Sequence, residues 1–146
     1  MNEIRTKELF ESYFHYWIMK LKLHDKYRFI LKKDNRLNCY AWTALIEKNH
    51  YEIKYNASKL KSQYKILNVV LHEIGHLFLD WRCTNEVEHE SEAEYFSLTT
   101  MKEHYPKFYK LALNWTKCSI TDKNTDELHK QGYLQTLRKM GEMVKG

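Results

Sequence analysis

The order of hydrophobic and polar positions predicts a helix near the start of the chain. In residues 6–23, "TKELFESYFHYWIMKLKL", large apolar side chains return every three or four positions. On a helix of 3.6 residues per turn, this spacing places them on one stripe. The stripe consists of Phe10, Phe14, Trp17, Ile18 and Leu21. We therefore expect an amphipathic helix whose aromatic side packs into a core.

Three short segments rich in aromatic and β-branched residues follow this helix. They are "YRFILKK" (27–33), "CYAWTALIE" (39–47) and "HYEIKYN" (50–56), each with rough alternation of apolar and polar positions. Such segments are typical of strands. Because the connections "DNRLN" and "KN" are short and polar, we expect a small three-stranded, mostly antiparallel sheet.

The helical period returns after the third segment. It predicts helices over residues 63–81 and 89–105, and Pro106 either ends the second of these or opens the next helix, "PKFYKLALNWTKC". Asn124 and Glu127 resemble a capping box for a last helix that extends to about Met143. The predicted fold class is α+β, with one domain over residues 1–146.

The composition is that of a folded chain, and it also bears on the cellular compartment of the protein. Hydrophobic residues make up 43% of the 146 positions, which is enough for one sizeable core. No apolar run has the length of a membrane span, and the first residues lack the pattern of a signal peptide. Cys39, Cys83 and Cys118 are odd in number and far apart, as is typical of a reducing compartment. We expect a cytoplasmic protein that does not contact a membrane.

The charge of the chain is moderately basic. The formal net charge is +5 at pH 7, and the lysines are spread along the sequence without an arginine-rich block or a Gly-rich phosphate loop. This balance permits an acidic protein or a nucleic acid as partner. A solvated basic surface is the simpler interpretation, so nucleic acid is possible but not expected.

The stretch "LNVVLHEIGHLFLDW" (67–81) carries the candidate chemistry. On a helix, His72 and His76 lie one turn apart on the same face, so both imidazoles can reach one metal ion. Glu73 stands beside that ion and can take a proton from water, which is the chemistry of the HExxH motif. Gly75 costs a helix about 1 kcal/mol relative to alanine, so we expect a close approach to its backbone. The alternative is two core histidines satisfied by hydrogen bonds.

A catalytic zinc site needs a third protein ligand and an open position. Downstream candidates are in "NEVEHESEAEYF", with Glu86, Glu88, His89, Glu90, Glu92 and Glu94. A solvated acidic face explains most of them. Glu92 fits a ligand best, because it lies four residues before Phe96 and next to the small Ala93, which permits close helix approach. Glu88 and His89, one turn earlier, are the reserve candidates.

The sequence resembles the zincin peptidases with a glutamate ligand, and among them the ImmA/IrrE family of small intracellular metallopeptidases. The matching segments are "YEIKYN", "VVLHEIGHLFLD" and "ESEAEYFSLTTM", which together cover about residues 50–101. SprT-like and minimal gluzincin proteases share the scaffold and are rival assignments. The resemblance implies a zincin-like domain in which His72, His76 and Glu92 bind Zn²⁺ and Glu73 is the general base.

The resemblance also implies how a substrate binds. In such enzymes an edge strand beside the cleft takes up an extended peptide as an additional antiparallel strand. The segment "CYAWTAL" (39–45) is the candidate, with Tyr40, Ala41, Trp42 and Thr43 as substrate-binding residues. An ordinary half-buried strand is the alternative.

The expected activity is zinc-dependent, intracellular hydrolysis of peptide bonds in a protein substrate. A regulatory protein is one such substrate. A side chain that donates to the developing oxyanion would come from a set of four: Tyr95, His89, His104 and Tyr105. The alternatives are an inactive zinc-binding relative that binds a protein or nucleic acid, and a metal-free basic interaction module.

Overall fold

A computed structural model of the chain describes residues 1–78 and 85–142. Within these residues the protein has five α-helices and one three-stranded sheet, so the predicted α+β class is confirmed. Contacts divide the chain into two compact units, Met1–Ile74 and Gly75–Gly146. The prediction of one domain over residues 1–146 stays a prediction. No helix in the described part of the chain is long and apolar enough to cross a bilayer.

Helix α1 (Glu3–Lys20) begins the first unit. The side chain of Asn2 caps it by accepting a hydrogen bond from the backbone of Arg5 at 2.8 Å, as short polar residues do at helix starts. Its predicted apolar stripe is buried from Phe10 to Ile18, and Phe10 stacks on Tyr55 with ring centroids 4.2 Å apart. The aromatic stripe is therefore core, as predicted.

The sheet contains β1 (Arg28–Lys33), β2 (Ala41–Glu47) and β3 (His50–Tyr55), in the order β1-β3-β2. β2 and β3 pair antiparallel across the two-residue turn at Lys48 and Asn49, whereas β1 and β3 pair parallel. The sheet is therefore mixed, and the expected pairing of the first two strands does not occur. β3 is the central strand, and Tyr51, Ile53 and Tyr55 on one of its faces are all buried.

Asn56 explains why "DNRLN" does not form a hairpin. Its side chain donates to the backbone carbonyls of Asn35 at 3.2 Å and Leu37 at 2.9 Å. Its backbone N–H donates to the carbonyl of Tyr40 at 2.8 Å. These bonds hold the segment against the end of β3, so that it delivers β2 to the far edge of the sheet.

Helix α2 (Gln63–Phe78) contains the HEIGH sequence, and the boundary between the two units falls within it. Ile66, Leu67, Val70, Leu71 and Ile74 are fully buried. These positions follow the helical period of a core-facing stripe. The helix was predicted over residues 63–81, and residues 79–81 lie outside the described residues.

Helices α3 (Glu86–His104), α4 (Pro106–Thr121) and α5 (Glu127–Lys139) form the second unit. Asn85 caps α3, which therefore begins three residues earlier than predicted. Pro106 lies in the first turn of α4. It therefore opens this helix, which was one of its two predicted roles.

The cap of α5 differs from the prediction. Asp126 caps the helix through the backbone N–H of His129 at 2.9 Å. Asn124, the expected cap, instead donates its own N–H to Asp122 within the preceding turn. The helix ends at Lys139 rather than near Met143, which lies outside the described residues.

Candidate functional site

The HEIGH sequence of α2 places three polar side chains, those of His72, Glu73 and His76, at buried or half-buried positions. Glu73 is 6% exposed and His76 is 7% exposed, while His72 is half-buried. Removing a carboxylate or an imidazole from water costs free energy unless a partner compensates for it. The site is therefore defined by the partners that these side chains meet.

At Gly75 the backbone of α2 lies close to that of α3. A Cβ atom at this position would lie 2.9 Å from the carbonyl oxygen of Ala93 and 3.0 Å from its Cα. Those distances are shorter than van der Waals contact allows, so only glycine fits. The expected close approach to this backbone is confirmed, and it brings the first turns of α3 to His76.

Glu90 is the acidic residue that reaches the histidines. Its Oε1 lies 3.3 Å from Nε2 of His76. Two ligands of one tetrahedral zinc ion, each at about 2.1 Å from the metal, lie about 3.4 Å apart. His72, His76 and Glu90 each offer one ligand atom, and these atoms all lie within 4.8 Å of one another. Two imidazoles and one carboxylate could hold a metal ion, and they are a donor set that zinc takes in proteins.

Glu92 does not belong to this group, so we take Glu90 as the candidate third ligand, and the predicted role of Glu92 stays a prediction. The side chain of Glu92 forms an ion pair with Lys139. The choice of Glu92 depended on Phe96 marking the buried side of α3, but Phe96 is only half-buried. The buried stripe contains Ala93, Glu94, Ser97, Leu98 and Met101. Glu90 continues that stripe by one turn, whereas Glu92 does not.

The two reserve candidates, Glu88 and His89, also lie outside the group of His72, His76 and Glu90. Glu88 lies in the first turn of α3, where its backbone N–H donates to the capping side chain of Asn85 at 2.7 Å. His89 is buried, and its ring stacks on that of His76 with centroids 4.5 Å apart. The Nδ1 atoms of His76 and His89 are 2.8 Å apart. His89 therefore contacts the ring nitrogen of His76 opposite to the one that faces Glu90.

This contact between the two histidines fits metal binding by His76. A metal ligand must present an unprotonated nitrogen, so Nε2 of His76 would carry no proton when it binds an ion. Its proton would then be on Nδ1 and would be donated to Nδ1 of His89. Metal-binding histidines commonly donate their second ring N–H in this way, which fixes the orientation of the ring.

Glu73 is held by the edge strand. The hydroxyl of Thr43 donates to Oε2 of Glu73 at 2.6 Å, and both residues are buried. A short bond from a neutral donor to a carboxylate is stronger than one between neutral groups. Thr43 was expected to contact substrate, but the structure places its hydroxyl on the candidate base.

The other predicted substrate-binding residues lie along the edge strand β2 or just before it. Trp42 is 60% exposed, and Ala41 is half-buried. The ammonium group of Lys65 lies over the ring of Tyr40, 4.6 Å from its centroid. Burial, and secondarily the neighbouring Tyr64, raises the pKa of Tyr40. The expected edge position of this strand is confirmed, since within the described residues β2 pairs with β3 alone.

Two of the four predicted oxyanion donors are far along α3 from Glu90. His104 ends the helix, where its Nε2 lies 3.7 Å from Glu103, and Tyr105 follows it. Fourteen residues of helix separate His104 from Glu90, about 21 Å at 1.5 Å per residue. The third, Tyr95, has the ammonium of Lys139 5.8 Å from its ring centroid, and the fourth is His89, already placed behind His76.

His129 is a site residue that the sequence reasoning missed. Its Nε2 lies 3.7 Å from Oε2 of Glu90, and its Nδ1 lies 2.8 Å from Asp126. Burial raises the pKa of Asp126, but hydrogen bonds from the backbone and ring of His129 outweigh this and leave that pKa lowered. The available signal was a helix cap followed three residues later by a histidine.

Comparison with protein-family models, with curated proteins and with solved structures finds no significant match to this chain. The resemblance to the ImmA/IrrE metallopeptidases therefore stays a prediction from the three motifs.

Proposed function

We propose that this protein is a zinc-dependent endopeptidase that acts in the cytoplasm. The observation that carries the proposal is the convergence of His72, His76 and Glu90, whose ligand atoms lie within 4.8 Å of one another. Beside them on the same helix is Glu73, a buried carboxylate with an oriented oxygen. Two histidines, a third acidic ligand and an adjacent carboxylate are the set that hydrolytic zinc sites use.

Glu73 is the proton carrier in the proposed reaction. Zinc held by His72, His76 and Glu90 would acidify water and stabilise negative charge on the scissile carbonyl oxygen. Glu73 accepts the proton from the attacking water as the new C–O bond forms. It then gives that proton to the leaving amine as the C–N bond breaks. Thr43 keeps one oxygen of Glu73 in a fixed direction during both transfers.

The edge of β2 is the proposed site for the substrate backbone. An unpaired strand edge offers N–H and C=O groups that an extended peptide can pair with. Trp42 and Leu45, exposed by 60% and 58%, would contact the side chains of such a peptide. Because Thr43 links this strand to Glu73, a peptide on the edge would lie next to the base. A segment of an unfolded or flexible protein is therefore the proposed substrate class.

The direct test compares wild-type protein with Glu73→Gln on fluorescently labelled, denatured casein. We expect both to contain zinc, because Glu73 is not a ligand, and we expect the variant to lose at least about 100-fold in cleavage rate, as general bases contribute 10²–10⁴-fold. Glu52→Gln is the matched control. It is the same chemical change at a carboxylate of β3 that pairs with Lys54 and is not part of the HEIGH sequence. Equal rates for wild type and Glu73→Gln would contradict the proposal and favour a non-catalytic zinc-binding protein.

A further inference from the structure

We infer that Asp126 and His129 form a positioning pair for Glu90, which sets the affinity of the metal site. The inference rests on the metal site of the proposed function and adds two residues to it. Neither residue belongs to the candidate ligands, and both are carried by the start of α5.

The two oxygens of Glu90 face different histidines. Oε1 lies 3.3 Å from Nε2 of His76, and Oε2 lies 3.7 Å from Nε2 of His129. A carboxylate on a flexible side chain can rotate and can offer either oxygen to a metal. With a ring nitrogen beside Oε2, the carboxylate of Glu90 is oriented so that Oε1 is the oxygen on the side of His76.

His129 is itself held in place from two directions. Its ring Nδ1 lies 2.8–2.9 Å from both carboxylate oxygens of Asp126, and its backbone N–H donates to Oδ1 at 2.9 Å. Asp126 thus caps α5 and fixes the ring of the third helical residue with the same carboxylate. Each ring nitrogen of His129 consequently faces an acidic oxygen.

Helix α5 is packed tightly against α3 at this level, so the pair has a rigid support. A Cβ atom at Gly132 would lie 3.1 Å from Cβ of Glu90. One turn further on, the buried hydroxyl of Thr136 donates to the carbonyl of Ser91 at 2.9 Å. Because these contacts lie beside Glu90, the backbone of α5 is held close to Glu90 at the turn that follows His129.

Residues that orient metal ligands typically change metal affinity by 10–100-fold when they are replaced. The pair would act in this way without touching the ion or the substrate. It would give Glu90 its orientation before an ion arrives, which reduces the conformational entropy lost on binding.

The test measures the zinc dissociation constant by chelator competition and the visible absorption spectrum of bound Co²⁺. We expect His129→Leu to weaken zinc binding by about 10–100-fold and to alter the Co²⁺ spectrum, because the Glu90 carboxylate would no longer be oriented. Asp126→Asn keeps a capping oxygen but removes the charge, and we expect a smaller change in the same direction. Thermal unfolding of the metal-free proteins checks that both variants fold.

His104→Leu is the matched control. Its side chain is 35% exposed, as is that of His129, and it also lies near a glutamate, but it is at the far end of α3. Zinc affinity and a Co²⁺ spectrum unchanged in His129→Leu, or an equal loss in His104→Leu, would overturn the inference while leaving the metal site intact. A wild-type protein that binds no zinc would overturn both the inference and the proposed function.

Discussion

Glu73, His76 and His89 are each less than 10% exposed, and their burial needs a physical explanation. An ionised or polar side chain in an apolar interior is destabilising unless it is hydrogen-bonded or bound to an ion. Each of the three has a partner: Thr43 for Glu73, and each other for the two histidines. Polar groups held in fixed directions within a dry site are the arrangement that catalysis uses.

The hydrogen bond from Thr43 to Glu73 can be tested by removing its donor. Thr43→Val keeps the shape of the side chain but removes the donor to Glu73, so the base loses its fixed orientation. We expect cleavage of denatured casein to fall roughly 10-fold, in line with the free energy of one hydrogen bond to a charged group, with zinc content unchanged. Thr43→Ser retains the hydroxyl and should retain most of the rate. A Thr43→Val variant that cleaves casein as fast as wild type would mean that this bond has no catalytic role.

Tyr55 gives a prediction about alkaline stability. Burial, and secondarily the charge of Glu11, raises the pKa of Tyr55 from 10.0 to about 12. The folded protein then holds this proton at pH values where the unfolded chain releases it. The stability linked to Tyr55 is therefore fully present below pH 10 and is lost as the pH rises towards 12.

Replacing Tyr55 by phenylalanine should make urea unfolding less sensitive to pH between 10 and 12. Tyr16→Phe is the control, because Tyr16 is 53% exposed and its replacement should leave the alkaline loss unchanged. If wild type and Tyr55→Phe lose stability in parallel across this range, Tyr55 does not titrate as its burial requires.

The residues of the site were predictable to different degrees. His72, Glu73 and His76 are separated by local helical spacing, so the sequence is enough to place them together. The candidate third ligand depends on which face of α3 is buried. The large Phe96 was a misleading marker, because it is only half-buried while the small Ala93 and Ser97 are buried. His129 lies near Glu90 because α5 packs against α3. These helices are distant in sequence, so no local pattern predicts this contact.

At the scale of elements, the site depends on two glycines where helices approach α3. Gly75→Ala would place a methyl group 2.9 Å from the backbone oxygen of Ala93, and a backbone cannot move aside as a side chain end can. Overpacking of this kind costs about 1–3 kcal/mol, which outweighs the gain of about 1 kcal/mol in helix propensity. We expect a lower free energy of unfolding and weaker zinc binding.

Gly132→Ala is the graded comparison, because its methyl group would meet Cβ of Glu90 at 3.1 Å rather than a backbone atom. Urea denaturation of the two variants should show a larger loss for Gly75→Ala. The opposite order, or a stabilised Gly75→Ala, would mean that α2 does not approach α3 as closely as described.

The elements themselves follow largely from local patterns. The stripe of α1, the three strands and the helical period of α2 were predicted, because each depends on spacing within one segment. Strand order was not, since the parallel pairing of β1 with β3 is favoured by bonds from Asn56 to the segment between β1 and β2. The cap of α5 was misplaced because Asn124 and Asp126 are equally good caps by residue type.

At the scale of the whole molecule, the proposed zinc binding would be coupled to folding. An ion that binds the folded chain better than the unfolded chain raises the free energy of unfolding by RT ln(1 + [L]/Kd). The candidate ligands come from α2 and α3, which are separated in sequence by residues 79–85. Metal binding therefore reports on the folded arrangement of both helices rather than on a local motif.

The most direct measurement of the central claim is the zinc content of purified Glu90→Gln beside that of Glu92→Gln. The two substitutions are chemically identical and lie two residues apart on α3. We predict near-stoichiometric zinc in wild type and in Glu92→Gln, and loss of zinc in Glu90→Gln. Zinc retained by Glu90→Gln but lost from Glu92→Gln, or absent from wild type, would contradict the account.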